Sequence, residues 1–383
     1  MADEFVWVAD RTALVEGVAR WCRAPFVALD TEFVRERTYY PRLCLLQVAD
    51  GRAVYLLDVL AIEDLSPLRS LFEAPVPKVL HAARQDLEVF WWQLRCLPRP
   101  LFDTQVAAAY LGLGEQLGYG ALVEQRLGLA LPKGETRSDW ARRPLSRRQL
   151  QYAAADVSHL AALYPGMREA LARSGRLAWV EEDCERLLDP LLWVVEPRSA
   201  WSKVKGWRHL RGEALAVLAA VAAWRESVAQ REDVPRRRVA ADEWLLELAR
   251  ARPRDVSALA RLPGARADWV RRHGEAVVRA VAEGLALPRS AWPGRGEGRL
   301  SPEELRRVEV LAEALGTLAG RLGVAPGLLA SRRELQRLVR GDRGVALLAG
   351  WRGARVAEAV VAFLEQGGGL VVQGEGLVWR ACV

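Results

Sequence analysis
Apolar positions change their rhythm along this chain. Up to about residue 170, short apolar runs without helical period, among them Phe26-Val27-Ala28-Leu29, Val54-Tyr55-Leu56-Leu57 and Lys78-Val79-Leu80, alternate with helix-like stretches. Runs of that length read as buried strands, and their alternation with helices predicts an α/β domain. Ser146 through Leu163 is predicted to be helical, with Ser146 as N-cap and Leu150, Ala154, Val157 and Leu160 or Ala161 along one side. Beyond about residue 207 strand signals largely vanish. Ala-, Leu- and Arg-rich helical periodicity then continues to the tail Leu370-Val371-Val372.

Breaks in this pattern divide the chain. Pro190, Pro197 and Gly206 mark residues 171–207 as a connector between an α/β domain over 1–170 and a helical module over 208–287. Residues 288–299 form a second linker, because Leu287-Pro288 through Gly298 holds two prolines and three glycines. Ser301-Pro302-Glu303-Glu304 restarts a helix with an N-cap, a first-turn proline and acids at the positive end of the dipole. A second helical module over 300–383 follows. A prior of about one domain per 150 residues fits this division of a 383-residue chain.

Candidate chemistry lies in three separated pieces of the first domain. Asp30 and Glu32 follow the strand Phe26 to Leu29 two residues apart, so both carboxylates leave one face and can converge on one ion. Oxygen-only ligands suit Mg²⁺ or Mn²⁺ and argue against zinc. Asp86 is expected in the first turn of a helix after the strand Lys78 to Leu80, where the dipole favours a carboxylate and helix capping is the alternative role. His81 is expected to close that strand or to hydrogen-bond in the core rather than to bind metal. Tyr152 and Asp156, four residues apart, project from one helical face; the other fate of such a tyrosine is core packing with a polar tip.

Together, Asp30-Thr31-Glu32-Phe33, His81-Ala82-Ala83-Arg84-Gln85-Asp86 and Tyr152-Ala153-Ala154-Ala155-Asp156 resemble the motifs of the DEDD exonuclease superfamily and, within it, the ribonuclease D family. Gln151 stands where the histidine subclass carries its histidine, so the likeness is to the tyrosine subclass. Val34 through Pro41, and Glu135 through Trp140 leading to Arg143-Pro144-Leu145, are also similar. The resemblance implies an α/β RNase H-like exonuclease domain followed by two all-α HRDC-type helical bundles. It also implies a 3′–5′ exoribonuclease that uses two divalent ions, Mg²⁺ or Mn²⁺, and trims tRNA precursors. In that scheme Asp30 bridges both ions, Glu32 and Asp156 hold the nucleophile-side ion, Asp86 holds the other partly through water, and Tyr152 orients the attacking water. A phenol of ordinary pKa about 10 suits hydrogen-bonding to water better than deprotonating it.

The likeness to HRDC domains rests on Ala223-Trp224-Arg225-Glu226, Asp233-Val234-Pro235-Arg236, Val239, Asp242-Glu243, Leu245-Leu246 and Leu262-Pro263-Gly264. A fainter echo follows in Val324-Ala325-Pro326, Arg333-Glu334-Leu335 and Gly350-Trp351. Pro235 precedes Glu243 by eight residues, as Pro326 precedes Glu334.

A net charge of +7 and a pI of about 9.4 favour a polyanionic partner without distinguishing RNA from DNA. Arg236-Arg237-Arg238, Arg271-Arg272 and Arg332-Arg333 are expected to form a phosphate track giving salt-dependent, sequence-independent affinity. No obligate protein partner is implied. Five scattered cysteines, Cys22, Cys44, Cys96, Cys184 and Cys382, form neither a paired framework nor a C-x-x-C site, which points to a reducing cytoplasm. Met1 through Asp10 lacks the features of a secretory signal, and the uncharged stretch from Ala214 to Trp224 falls far short of the roughly 20 residues that span a bilayer. The expectation is therefore a cytoplasmic protein without membrane contact. Two rivals remain: a DNA exonuclease with the same metal chemistry, and a nonenzymatic nucleic-acid scaffold, which would need no acidic cluster.

Overall fold
The computed structural model describes residues 5–131, 138–293 and 300–381. Contacts divide the chain into two units: Met1–Val34, Leu43–Asp189 and Arg299–Val383 form the first, Arg35–Arg42 and Pro190–Gly298 the second. The C-terminal module thus groups with the α/β domain, whereas the hydrophobic pattern assigned it a separate place at the end of the chain.

Six strands of the first unit, β1 (Val6–Val8), β2 (Val27–Val34), β3 (Arg42–Ala49), β4 (Val54–Leu57), β5 (Lys78–Leu80) and β6 (Leu101–Asp103), form one sheet in the order β1-β4-β3-β2-β5-β6. β2 runs parallel to β5 and β5 to β6, whereas β3 and β4 are antiparallel. Val27, Ala28 and Leu29 are fully buried at the centre, as befits a strand covered on both faces. β2 does not stop there. Its backbone stays extended through Val34, so Asp30 and Glu32 lie within the strand and not beyond its end. An apolar run reports buried side chains; it is blind to a backbone that stays extended after the side chains turn polar.

Helices α1 (Arg11–Trp21), α2 (Leu68–Glu73), α3 (Arg84–Leu94), α4 (Thr104–Tyr110), α5 (Tyr119–Leu127), α6 (Arg147–Arg173) and α7 (Leu177–Arg186) accompany the sheet. Ser146 caps α6 through a reciprocal capping box with Gln149. The helix passes Pro165 and runs a further eight residues, well beyond the expected end near Leu163. An interior proline costs about 3 kcal/mol, and the buried side chains Leu163, Tyr164, Met167 and Leu171 offset it. α7 falls in the segment expected to be a connector. It packs against β6 and α4 and buries Val180 and Cys184.

The second unit contains α8 (Glu213–Glu232), α9 (Arg236–Val239), α10 (Asp242–Ala251), α11 (Val256–Ala260) and α12 (Ala267–Ala286). Leu215, Leu218, Val221, Leu245, Leu248 and Val277 build its core. α12 lies so close on α8 that a Cβ at Gly284 would sit 2.7 Å from Val217 Cα, so only glycine fits. The segment Arg35–Arg42 is anchored here. Tyr39 and Tyr40 donate their N–H groups to Asp233 at 2.9 and 3.0 Å. The Tyr39 hydroxyl donates to Glu226, whose carboxylate also receives Arg236 Nη2 at 2.7 Å.

α13 (Pro302–Leu322), α14 (Arg332–Val339) and α15 (Gly350–Gln366) precede a hairpin of β7 (Gly369–Gln373) and β8 (Gly376–Arg380). The hairpin corrects the all-α expectation for this module. β-Branched and aromatic residues in Leu370-Val371-Val372 and Leu377-Val378-Trp379 suit strands, and Gly374 supplies the positive φ of 61° in a two-residue loop. The module is fixed to α7. Arg352 makes a bidentate pair with Asp183 at 2.6 and 2.7 Å, and Trp351 stacks on Trp179 with centroids 4.4 Å apart. Glu182 accepts the Trp351 N–H at 2.8 Å.

Candidate active site
β2, α3 and α6 bring the acidic motifs to one place in the first unit. Ligand oxygens of Asp30, Glu32 and Asp156 lie within 4.8 Å of one another, and all three residues are partly exposed. Strand alternation puts the first two on one face, and α6 supplies the third. Asp86 stands apart from this group. It is 8% exposed and accepts a hydrogen bond from the Thr31 hydroxyl. α3 has no side-chain cap at its start, so Asp86 is not consumed as an N-cap.

Asp30 and Glu32 feel the charge of Asp86 as well as that of Asp156. Asp30 is held well above the ordinary carboxylate range by burial and then by the charges of Asp86, Asp156 and Glu32. Burial, followed by Asp156 and Asp86, pushes Glu32 up to about 9. Burial lifts Asp86 and Asp156 to about 7; hydrogen bonds from Thr31 and Tyr152 respectively oppose the rise. Such a site is strained by its own charge at neutral pH and is relieved by a cation. Hard oxygen donors clustered this way fit a divalent ion and offer no nitrogen or sulfur ligand.

Tyr152 donates its hydroxyl to Asp156, and its ring lies 6.3 Å from that of Trp140. Its pKa is raised above the usual phenol value by burial and by the charges of Asp156, Glu32 and Asp30. His81 stays outside the carboxylate group; its Nδ1 is 2.9 Å from Thr104 Oγ1. Glu135, Thr136 and Arg137 lie outside the described residues, as does Cys382. Arg143 forks onto Asp58 at 2.7 and 2.8 Å and reaches the Cys44 carbonyl, tying the approach to α6 onto the sheet.

Three supporting residues are given no role by the sequence. Thr31, inside the first motif, holds Asp86. Asp103 accepts the N–H groups of Ala82 and Ala83 at 3.0 and 2.8 Å; it thereby fixes the positive-φ turn at Ala82, φ 51°, that leads into α3. Tyr119 donates its hydroxyl to the Asp156 carbonyl, and its pKa is raised by burial and by the charges of Asp156 and Asp30. Asp103 does leave one local signal, a strand-end Asp-Thr ahead of a helix; the roles of Thr31 and Tyr119 arise only from tertiary packing.

The expected phosphate track is only partly free for ligands. Arg236 is bound to Glu226, Arg272 to Glu232 and Arg332 to Glu309. Among the described residues, Arg237 and Arg238 have no side-chain partner. No described helix is long and apolar enough to cross a membrane, and Cys22, Cys44, Cys96 and Cys184 are free thiols.

Known proteins share this architecture. A family model described as 3′–5′ exonuclease matches residues 5–172, and the HRDC domain model matches residues 214–281. Ribonuclease D of Gluconacetobacter diazotrophicus is 44% identical over 348 residues, spanning 90% of this chain and 88% of that protein. Ribonuclease D of Pseudomonas paraeruginosa is 40% identical over 372 residues, 95% of this chain and 98% of that protein. The crystal structure of Escherichia coli RNase D, described as an exoribonuclease involved in structured RNA processing, superposes with a TM-score of 0.85 at 33% identity, covering 94% of this chain and 99% of that one. With likeness of this extent running through both the exonuclease and the helical parts, the chain belongs to the ribonuclease D family of 3′–5′ exoribonucleases.

Proposed function
We propose that this exoribonuclease trims the 3′ ends of tRNA precursors in the cytoplasm, using two divalent ions, Mg²⁺ or Mn²⁺, held by Asp30, Glu32, Asp86 and Asp156. One observation carries the reading: three carboxylates from a strand and a helix converge within 4.8 Å, with a tyrosine hydroxyl on one of them. Bound there, the ions supply positive charge to the entering and leaving oxygens of the displacement. Asp30, whose carboxyl feels the charges of the other three acids, would serve both ions. Glu32 and Asp156 would hold the nucleophile-side ion. Asp86, steadied by Thr31, would hold the other.

Tyr152 remains a phenol at neutral pH because burial and neighbouring carboxylates raise its pKa. It therefore positions the attacking water by hydrogen-bonding and does not remove its proton. Residues 1–170 are read as the exonuclease domain and 208–287 as an HRDC domain. Residues 300–383 are read as a divergent HRDC-like module, with 171–207 and 288–299 between the three. Incubating the chain with 5′-labelled and 3′-labelled tRNA-like precursor, with EDTA, Mg²⁺ or Mn²⁺, tests the proposal. Stepwise shortening of the 5′-labelled RNA only with metal is expected; metal-independent release, or indifference to precursor structure, would overturn it.

A further inference from the structure
The second unit contains a cavity that the exonuclease chemistry does not use. It occupies about 230 Å³ between the junction of α9 with α10 and the loop leading into α12, and its walls include Arg237, Arg238, Arg266, Trp244 and Trp269. That is smaller than the roughly 300 Å³ at which drug-sized sites begin, so it suits no more than a single nucleotide. A second hollow of about 390 Å³ opens beside Trp244, lined by Glu243, Glu247, Pro263 and Gly264.

Two features set the first cavity apart from a merely solvated surface. Its cations are available: Arg237 and Arg238 are exposed and, among the described residues, have no side-chain partner. Among the described residues Arg266 pairs with Asp268 alone, and those side chains are 77% and 58% exposed. A pair that exposed is worth about 0–1 kcal/mol and yields readily to a phosphate. The neighbouring Arg236, by contrast, is committed to the buried Glu226.

The second feature is a braced aromatic wall. Trp244 meets Trp269 edge-on at 5.6 Å and 81°. Trp269 is itself pinned, because its indole N–H donates to the Val239 carbonyl at 2.6 Å and Trp224 abuts it at 5.9 Å. Trp244, partly exposed and backed edge-on by this pinned ring, offers a stacking surface at a reduced ordering cost. Glu243 and Glu247 on the far side of Trp244 give the ligand a direction, since an anion would be turned away from them and toward the arginines.

We propose that this cavity is a nucleotide pocket: it takes one unpaired residue of the substrate RNA, its base against Trp244 and its phosphate among Arg237, Arg238 and Arg266. The proposal rests on the exoribonuclease reading and adds a holding site in the helical unit. Base stacking on an aromatic side chain and contact of arginine with phosphate are both tolerant of sequence, as a processing enzyme requires. A free nucleoside 5′-monophosphate, the product of trimming, shares the chemistry and must be told apart from an RNA segment.

The test uses the full chain in EDTA, where RNA is bound without turnover. Fluorescence anisotropy of a labelled RNA hairpin with a single-stranded tail would be followed across a salt series for the wild type, the double variant Arg237→Glu with Arg238→Glu, Trp244→Ala and Trp244→Phe. Loss of both arginines should weaken binding about tenfold or more and lower the log–log salt slope by about 1.4, near 0.7 for each single-strand phosphate contact. Trp244→Ala should cost roughly fivefold to 100-fold, and Trp244→Phe, which keeps a ring, much less. Unchanged affinity and slope in the folded double variant overturns the pocket; because both arginines are exposed, that variant remains decisive even if Trp244→Ala misfolds. Tryptophan quenching by 5′-AMP, lost in the double variant while RNA affinity stays constant, would reassign the pocket to the product. Arginine-dependent capture of an acidic peptide with constant RNA affinity would reassign it to a protein ligand. In parallel, the wild type should shorten a brief unstructured oligonucleotide with Mg²⁺. Failure of the wild type to do so would sink the exonuclease reading while leaving the binding result to judge the pocket.

Discussion

Replacing Asp30 with Asn should end turnover and, in the metal-free protein, raise stability. Asp30 shares a 4.8 Å cluster with Glu32 and Asp156. At an effective dielectric of about 20, two unit charges at that spacing of 4.8 Å repel by about 3.5 kcal/mol. The wild type escapes part of that repulsion by taking up protons, with Asp86 and Asp156 raised to about 7 and Glu32 to about 9. Each acid therefore holds its proton more tightly folded than unfolded. Its contribution to stability is full below the ordinary carboxylate range, about pH 4, and is lost as pH rises toward about 7 for the two aspartates and about 9 for Glu32.

Asp30→Asn removes the central charge while keeping the shape, so a gain of about 2–3 kcal/mol at pH 8 is expected, below the single-pair figure because of that proton uptake. At roughly 2–4 °C per kcal/mol for a domain of this size, the melting midpoint should rise by roughly 4–12 °C in EDTA and much less at pH 5. Thermal unfolding from pH 5 to about pH 8.5, with EDTA and then with Mg²⁺, reads the effect. Mg²⁺ should stabilise the wild type more than the variant, and RNA affinity should change only a few-fold. A variant no more stable than wild type at pH 8 without metal, or one with full turnover, would refute the picture of a charge-strained metal site.

Tyr152→Phe keeps the ring against Trp140 and removes only the hydroxyl, so single-turnover cleavage should fall by about 10² to 10⁴, as for other losses of a positioned proton-handling group; an unchanged rate would reduce the residue to packing. Arg352→Ala strands Asp183, whose side chain is 14% exposed, and should cost about 3–5 kcal/mol in denaturant unfolding; a loss below about 1 kcal/mol would show that water replaces the guanidinium. A chain ending near Glu196 discards α13–α15 along with α8–α12 of the second unit and bares Trp179 and Asp183. Its melting midpoint should drop and its solubility suffer, and an undiminished midpoint would show that the C-terminal module is dispensable to the first unit.

Most of the site is legible in local signals of the amino-acid sequence. Asp30 and Glu32 must share a face because strand periodicity is two, and Tyr152 and Asp156 because helical neighbours are four apart. The strand at Val54–Leu57, the strand at Lys78–Leu80 and the Ser146 cap follow from run length and cap chemistry. What local signals miss is set by packing across distance. Pro165 reads as a stop signal, and only the buried Tyr164, Met167 and Leu171 reveal why α6 continues. Tyr39 and Glu226 are 187 residues apart, and no periodicity could announce that Arg35–Arg42 joins the helical unit. The same holds for Arg352 and Asp183, 169 residues apart, whose pairing draws the C-terminal module to α7.

The division of the four acids follows from where each is held. Asp30, Glu32 and Asp156 are gathered by elements whose geometry is local: two successive outward positions of β2 and one face of α6. Asp86 depends on more. Its helix enters through Ala82 at φ 51°, a conformation costly for a residue with a Cβ, and Asp103 holds that turn by accepting the two consecutive N–H groups of Ala82 and Ala83. Thr31 then meets Asp86 from the strand, between the two acids that face the cluster. Asp86 is thus placed by a hydroxyl and, through its helix, by a more distant carboxylate, and its charge still raises both Asp30 and Glu32. Asp30, Glu32 and Asp156, placed by secondary-structure periodicity, and Asp86, positioned by tertiary hydrogen bonds, together make one cluster of oxygen donors. The acid most dependent on distant residues is the one whose placement sequence periodicity could not specify.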